Sequence, residues 1–166
     1  MVAWPAPPTP VRSSARPPGH DLDVTQQRRA YTSIVIEREI AAPRQVVWDA
    51  LLDMIATATG GSVVEGEPPP HGLGAVFEFG TDGMSLSEEV ISFEPPWRRV
   101  YELTGAPVAL YQGTTAITDR GDSCLLAWSL VIEPLPDGAS DAFLEVAEAF
   151  LTGFADQLQI MVESGN

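Results

Sequence analysis

Three side chains are placed to do chemistry in an apolar setting. Arg38 falls in phase with Ile34, Ile36 and Ile40, so alternation along an extended segment aims its guanidinium inward. A buried guanidinium is costly unless it meets a carboxylate, with Glu102 one candidate, or an oxygen of a bound molecule; otherwise it reaches water at the end of its strand. Tyr101 and Tyr111 sit on apolar stretches, where each either packs or hydrogen-bonds a ligand carbonyl. An arginine and a tyrosine in a dry pocket would grip and polarise a carbonyl oxygen by electrostatic stabilisation and orientation.

Other chemistries find little footing. His20 and His71 lack any Cys/His spacing around them, so no metal site is expected. Gly72-Leu73-Gly74 leads into a strand rather than a helix, and the chain has no lysine to complete a phosphate-binding loop, so no cofactor is expected. Cys124 stands mid-strand without a base and reads as a small buried hydrophobe. Arg120-Gly121-Asp122 reads as a charged hairpin turn. Glu88 and Glu89 are adjacent on a strand and point to opposite faces, while Glu37 and Glu39 share the solvated face; all are read as surface charges.

The 166 residues carry 23 acidic and nine basic side chains, every basic one an arginine, for a net charge of −14. That balance argues against nucleic acid and against anionic membranes, both of which call for a basic surface. No apolar run approaches the ~18 residues of a membrane span, so no membrane insertion is expected. Met1–Pro10 has no basic start and no apolar helix-forming stretch, so no signal peptide is expected; with one cysteine, the reading is a cytoplasmic protein. The lysine-free, Ala/Arg/Pro-rich composition suggests a GC-rich bacterial genome.

Residues 1–30 form a Pro/Arg-rich tail, expected to be disordered, with four arginines against Asp21 and Asp23. The remainder, 31–166, has 21 acidic side chains against five arginines, leaving −16. Within it, Tyr31–Ile40 alternates as a half-buried strand. Val47, Trp48, Leu51, Leu52 and Ile55 recur at helical spacing after Pro43, and short helices are expected between the first strand and Gly60-Gly61. Six more strands follow: Ser62–Gly66, Gly74–Phe79, Met84–Phe93, Trp97–Thr104, Val108–Thr118 and Ser123–Glu133, separated by Pro or Gly/Asp turns.

The closing segment is strongly helical. Ser140 is a good N-cap, and Phe143, Val146, Phe150, Phe154, Leu158 and Met161 make one apolar stripe. At 1.5 Å per residue, ~24 residues span ~36 Å, enough to cross a domain of this size. The predicted architecture is α+β, a curved seven-stranded antiparallel sheet wrapped around a long C-terminal helix. A strongly twisted sheet closed by one helix leaves a cavity between the layers. If residues 119–122 form the last hairpin loop, Ile117 faces Cys124 and Gly113 faces Trp128, whose indole the missing side chain would accommodate. The inward set is then Tyr111, Thr115, Ile117, Cys124, Leu126, Trp128 and Leu130, with Tyr101, Leu103, Phe77 and Phe79 from neighbouring strands.

Ile40-Ala41-Ala42-Pro43 followed by Val47-Trp48 and Leu51-Leu52-Asp53, then Glu88–Val90, Phe93-Glu94-Pro95-Pro96, Arg98-Arg99-Val100-Tyr101, and the Gly113–Ile117 and Cys124–Trp128 strands resemble the START/Bet v 1-like (SRPBCC) superfamily, in its bacterial polyketide cyclase/dehydrase-like branch. The resemblance spans about Tyr31–Val162 and implies the helix-grip fold. The chain departs from the usual pattern where Met54–Thr59 lacks an aromatic and where Ser123-Cys124 replaces Gly-Thr. The superfamily includes lipid and hormone carriers, polyketide aromatase/cyclases, ring-hydroxylase subunits and chaperone activators, so three readings stay open.

The first is a binding module for a small hydrophobic molecule (lipid, polyketide or aromatic metabolite) in a deep cavity of ~300–1,000 Å³. Its expected ligand-binding residues are Phe77, Phe79, Tyr101, Leu103, Tyr111, Thr115, Leu126, Trp128, Phe150 and Phe154. The second is an aromatase/cyclase-type enzyme in the same cavity, with Arg38, Tyr101 and Tyr111 as candidate catalytic groups promoting enolisation and ring closure of a folded polyketide. The third is an acidic interaction module that docks a basic protein partner or pairs as a homodimer.

Overall fold

A computed structural model describes residues 29–81 and 83–165. The Pro/Arg-rich tail therefore lies outside the described residues, apart from its last two. Six strands form one antiparallel sheet: β1 (Thr32–Ile40), β2 (Val76–Thr81), β3 (Met84–Glu94), β4 (Arg98–Thr104), β5 (Val108–Asp119) and β6 (Cys124–Pro134), in the order β1-β6-β5-β4-β3-β2. Helix α1 (Arg44–Thr59) follows β1, and helix α2 (Asp141–Ser164) closes the chain after a single 3-10 turn at Pro136–Gly138.

The sheet has six strands rather than the expected seven. Ser62–Gly66 makes only isolated bridges around it, at Val64↔Val76 and Glu67↔Leu73. Pro68, Pro69 and Pro70 have no N–H to donate to a ladder, so the segment cannot extend into a strand. The expected short helices are likewise one helix of 16 residues. Nothing between Arg44 and Thr59 breaks it, and it stops where Gly60 takes a left-handed conformation (φ 78°) and donates its N–H to Ala56 O. Val47, Trp48, Leu51 and Ile55 form its buried face.

In the last hairpin, Ile117 pairs with Leu126 and Asp119 with Cys124, so the loop is residues 120–123. The Asp119 carboxylate accepts the Gly121 N–H at 2.9 Å and anchors the turn one residue later than expected. The resulting slip is two residues, which preserves every face assignment. Tyr111, Thr115, Ile117, Cys124, Leu126, Trp128 and Leu130 are all buried. Gly113 pairs with Leu130, not Trp128. What fills its missing side chain is Tyr101, directly across on β4, whose ring a Cβ at this position would overlap.

Helix α2 presents two adjacent apolar faces. The one pressed against the rest of the molecule is Ala147, Leu151, Ala155, Leu158 and Val162, where two alanines permit close approach. The bulkier stripe read from the sequence shares only Leu158 with it. Phe143 and Phe154 are half-buried, while Val146, Phe150 and Met161 are exposed. Ser140 sits at the N-cap position but does not cap. Its hydroxyl donates to Pro107 O (2.6 Å) and accepts the Leu135 N–H (2.8 Å), tying the β4–β5 and β6–α2 connections together.

Three polar contacts fasten α2 to the edge strand β1 and the residue that follows it. Arg38 Nε donates to Asp156 Oδ1 (2.7 Å), Gln159 Nε2 to Glu39 O (3.0 Å), and the Ala41 N–H to Glu163 Oε1 (3.0 Å).

Candidate functional site

The inward faces of β3, β4 and β5 carry a buried polar cluster within an otherwise apolar wall. Arg99 is 1% exposed and donates through Nη2 to Glu88 Oε1 at 2.5 Å, with Glu88 itself 12% exposed. The guanidinium also lies over the Tyr101 ring, 4.8 Å from its centroid. Trp128 Nε1 donates to the Tyr101 hydroxyl (2.9 Å), and the Tyr101 and Tyr111 rings lie side by side, with centroids 6.4 Å apart. Desolvation raises the pKa of both tyrosines, so both stay protonated at neutral pH and serve as donors rather than bases.

Local alternation explains this arrangement. Glu88 is in phase with Leu86 and Val90, and Arg99 is in phase with Tyr101 and Leu103, so each charge occupies an inward position of its strand. Glu88 is thus not the surface charge expected from sequence; an adjacent pair on a strand must send one member inward, and Glu89 is the exposed one. Among the described residues, Arg98 Nε, Arg99 Nε and Nη1, Thr115 Oγ1 and His71 Nδ1 are buried without a hydrogen-bond partner. His71 stacks on Phe77, with ring centroids 5.8 Å apart. Its pKa is lowered by desolvation and then by the charge of Arg99, against an opposing pull from Asp53, which favours the neutral imidazole.

A pocket of about 620 Å³ opens between the two helices. Val46, Ala50, Asp53 and Met54 of α1 line one side, and Phe154 and Met161 of α2 the other. Thr57 and Ala58 extend the α1 wall, so the stretch of small residues after Asp53 is what leaves the space. Phe154 meets Trp128 edge-on (5.5 Å) and touches Phe150 (5.9 Å), linking the pocket to the interior wall of the sheet.

The residues singled out from sequence divide accordingly. Tyr101, Tyr111, Thr115, Leu126, Trp128, Phe77 and Leu103 are buried on the inner face, and Phe79 is half-buried there. Tyr101 and Tyr111 come together; Tyr111 also meets Phe143 edge-on. Phe154 borders the pocket directly, and Phe150 stands beside it, 59% exposed. Arg38 lies apart from this group, held by Asp156 and by the Glu37 carbonyl; the acid is Asp156 of α2 rather than Glu102. Glu102 instead pairs with Gln112. Sequence reasoning missed Arg99, Glu88 and the α1 wall. Cys124 is fully buried, and desolvation followed by the charge of Asp119 raises its thiol pKa, which disfavours the thiolate. No group of three potential metal ligands occurs among the described residues, and none of their helices is long and apolar enough to cross a membrane.

A six-stranded antiparallel sheet gripping one long C-terminal helix, with a pocket beside that helix, defines the Bet v 1/SRPBCC class of α+β proteins. The chain belongs within it to the polyketide cyclase / dehydrase and lipid transport family, whose model matches residues 31–163. Among solved structures, it is similar to norcoclaurine synthase from Thalictrum flavum in complex with dopamine and hydroxybenzaldehyde (TM-score 0.64, 17% identity, 93% of this chain and 99% of that one). It is also similar to CalU16 from Micromonospora echinospora (TM-score 0.58, 19% identity, 81% and 83%). The Aha1 dimer from Colwellia psychrerythraea shares the fold as well (TM-score 0.63, 13% identity, 81% and 98%). A search of curated proteins finds no match.

Proposed function

We propose that this protein binds a small hydrophobic molecule, of the lipid, polyketide or aromatic-metabolite type, between the sheet and α2, admitted through the gap between α1 and α2. The observation that carries this reading is the apolar pocket of about 620 Å³ beside an uncovered apolar stripe. Val146 and Phe150 are 60% and 59% exposed, and Met161 is 42% exposed on the pocket wall. Apolar side chains left in water next to a cleft of ligand size are stabilised when a guest covers them. Native mass spectrometry of freshly purified protein, with extraction and identification of any co-purified molecule, tests the reading. A purely apo spectrum, together with no binding of an apolar naphthalene probe, would remove it.

A second reading is supported by the buried cluster: an aromatase/cyclase-type activity in the same space. Arg99 retains free N–H donors, and Tyr101 and Tyr111 are held protonated, so a guest that reached past the helix-lined pocket to the inner face of the sheet would meet donors for a carbonyl and for charge that develops on its oxygen. Norcoclaurine synthase, a structural neighbour, is seen with an aromatic amine and an aromatic aldehyde. In this reading Arg38, committed to Asp156, positions α2, and Arg99 supplies the guanidinium. Product analysis of a poly-β-ketone substrate incubated with the wild type and with Arg99→Met distinguishes the two: an unchanged product profile leaves binding alone.

A further inference from the structure

Helix α2 carries two lengthwise stripes besides the face it presses on the sheet. One is acidic: Asp141, Glu145, Glu148, Asp156 and Glu163 share a flank, the one that Asp156 and Glu163 turn toward β1 and Ala41. The other holds no charge. Val146, Phe150, Gly153, Gln157 and Ile160 recur at alternating steps of four and three, the spacing of a helix–helix seam. All five are exposed, Val146 at 60%, Phe150 at 59% and Ile160 at 65%. Val146 and Ile160 do not line the pocket, so a guest seated there leaves both in water. Gly153 weakens a helix interior relative to alanine, yet a Cβ at this position would meet nothing within 4 Å. The packing of a single chain therefore gives no reason for a glycine here; close approach by a second helix does.

We propose that this stripe is an interface between two copies of the chain, whose α2 helices cross antiparallel at Gly153. The spacing is symmetric about that residue, with Val146 and Ile160 each ~10.5 Å from it along the axis. A twofold axis through Gly153 sets Val146 of each copy on Ile160 of the other, and Phe150 over the opposite Gly153. Charge selects a copy as the occupant. A second chain brings the same −14, so it is repelled wherever acids face acids and settles only on a charge-free strip. A basic partner would gain instead from the acidic flank. At ~36 Å by ~12 Å, the two stripes cover about 800 Å² between them. That is below the ~1,200 Å² of a standard interface, so the association is weak and reversible. Nothing in this pairing depends on the ligand-binding reading.

Sedimentation velocity of the full chain, from about 1 to about 500 μM and at about 0.05 and 0.5 M salt, tests this. The wild type is expected to move toward twice the chain's mass as concentration rises, and to associate several-fold more tightly at the higher salt, which screens like charges. Gly153→Leu holds the helices apart and should weaken association about tenfold or more, with the circular dichroism of the monomer unchanged. Ile160→Glu should do the same by placing a carboxylate on an apolar contact. Val146→Arg combined with Ile160→Glu should restore association to within about threefold, because each introduced guanidinium meets an introduced carboxylate across the twofold axis. Should Gly153→Leu not fold, Ile160→Glu and its rescue carry the test at positions that are 65% and 60% exposed. A monomer at every concentration overturns the interface, as does a dimer indifferent to Gly153→Leu and Ile160→Glu. Failure of the double variant to recover overturns the antiparallel register. Association that loosens with salt marks contact between opposite charges, such as the Arg-rich residues 1–30 on the acidic flank, and overturns the charge-free seam.

Discussion

Replacing Arg99 by methionine removes one member of an ion pair whose other member is largely shielded from water. Glu88 is 12% exposed and its Oε1 accepts from Arg99 Nη2. Loss of the guanidinium leaves a carboxylate facing Leu86, Val90 and Leu103, with Phe77 directly across on β2. Breaking a buried pair by deleting one partner typically costs ~3–5 kcal/mol. The contact over the Tyr101 ring adds ~0.5–2 kcal/mol to what is lost. Incomplete burial of Glu88 pulls the total down, so about 3 kcal/mol is expected for Arg99→Met. The double variant Glu88→Leu/Arg99→Met removes both charges and fills the site with apolar volume, and it should regain most of that loss. Urea unfolding of the wild type, both single variants and the double gives the coupling energy directly. If each single change costs under about 1 kcal/mol and the two add, the pair is solvated and the claim of a dry polar cluster fails.

Three further outcomes follow from neighbouring residues. Tyr101→Phe strands the buried Trp128 Nε1–H, and should cost about 1–3 kcal/mol in a urea melt and change the indole emission; an unchanged melt and spectrum would contradict the hydrogen bond. His71 has a folded pKa below its unfolded value of about 6.5, so the unfolded chain binds the proton more readily. Its contribution to stability is full above that value and lost as pH falls through the folded pKa; the wild type should therefore lose stability below pH ~6.5 more steeply than His71→Gln, and parallel pH profiles would refute this. Phe150→Ser removes an exposed ring, so thermal stability should shift by no more than ~0.5 kcal/mol while affinity for an apolar naphthalene drops several-fold; equal affinity would take Phe150 out of the binding surface.

Alternation carried most of the sheet, and its incomplete use explains most of what was missed. The period-2 rule that placed Tyr101 and Leu103 inward also places Arg99 inward, two residues earlier on β4. Applied to Leu86 and Val90, it sends Glu88 to the same side. Arg38 drew attention by the identical logic, yet an acid from a different element, Asp156 on α2, meets it. No local pattern reveals such a partner, 118 residues away in the chain. Gly113 stands out in the sequence as a deliberate absence of side chain, but the strand that exploits it is β4 rather than β6, because the turn at Asp119 moved the pairing by two residues. On α2, Ala147 and Ala155 mark the close contact, and bulky phenylalanines were the stronger but less informative signal. The pocket depends on how far α1 stands from α2, a quantity set by tertiary contacts and not by the period of either helix.

The fastening of α2 has a mechanical consequence. Arg38, Glu39 and Ala41 hold one side of its C-terminal end through Asp156, Gln159 and Glu163, while the flank bearing Phe150 and Met161 has no matching clasps to the sheet among the described contacts. A rod pinned along a single side swings about that side at low cost, much as a door turns on its jamb. Under the ligand-binding proposal, widening the gap between the helices would strain apolar contacts such as Phe154 on Trp128 and leave the Arg38–Asp156 ion pair in place.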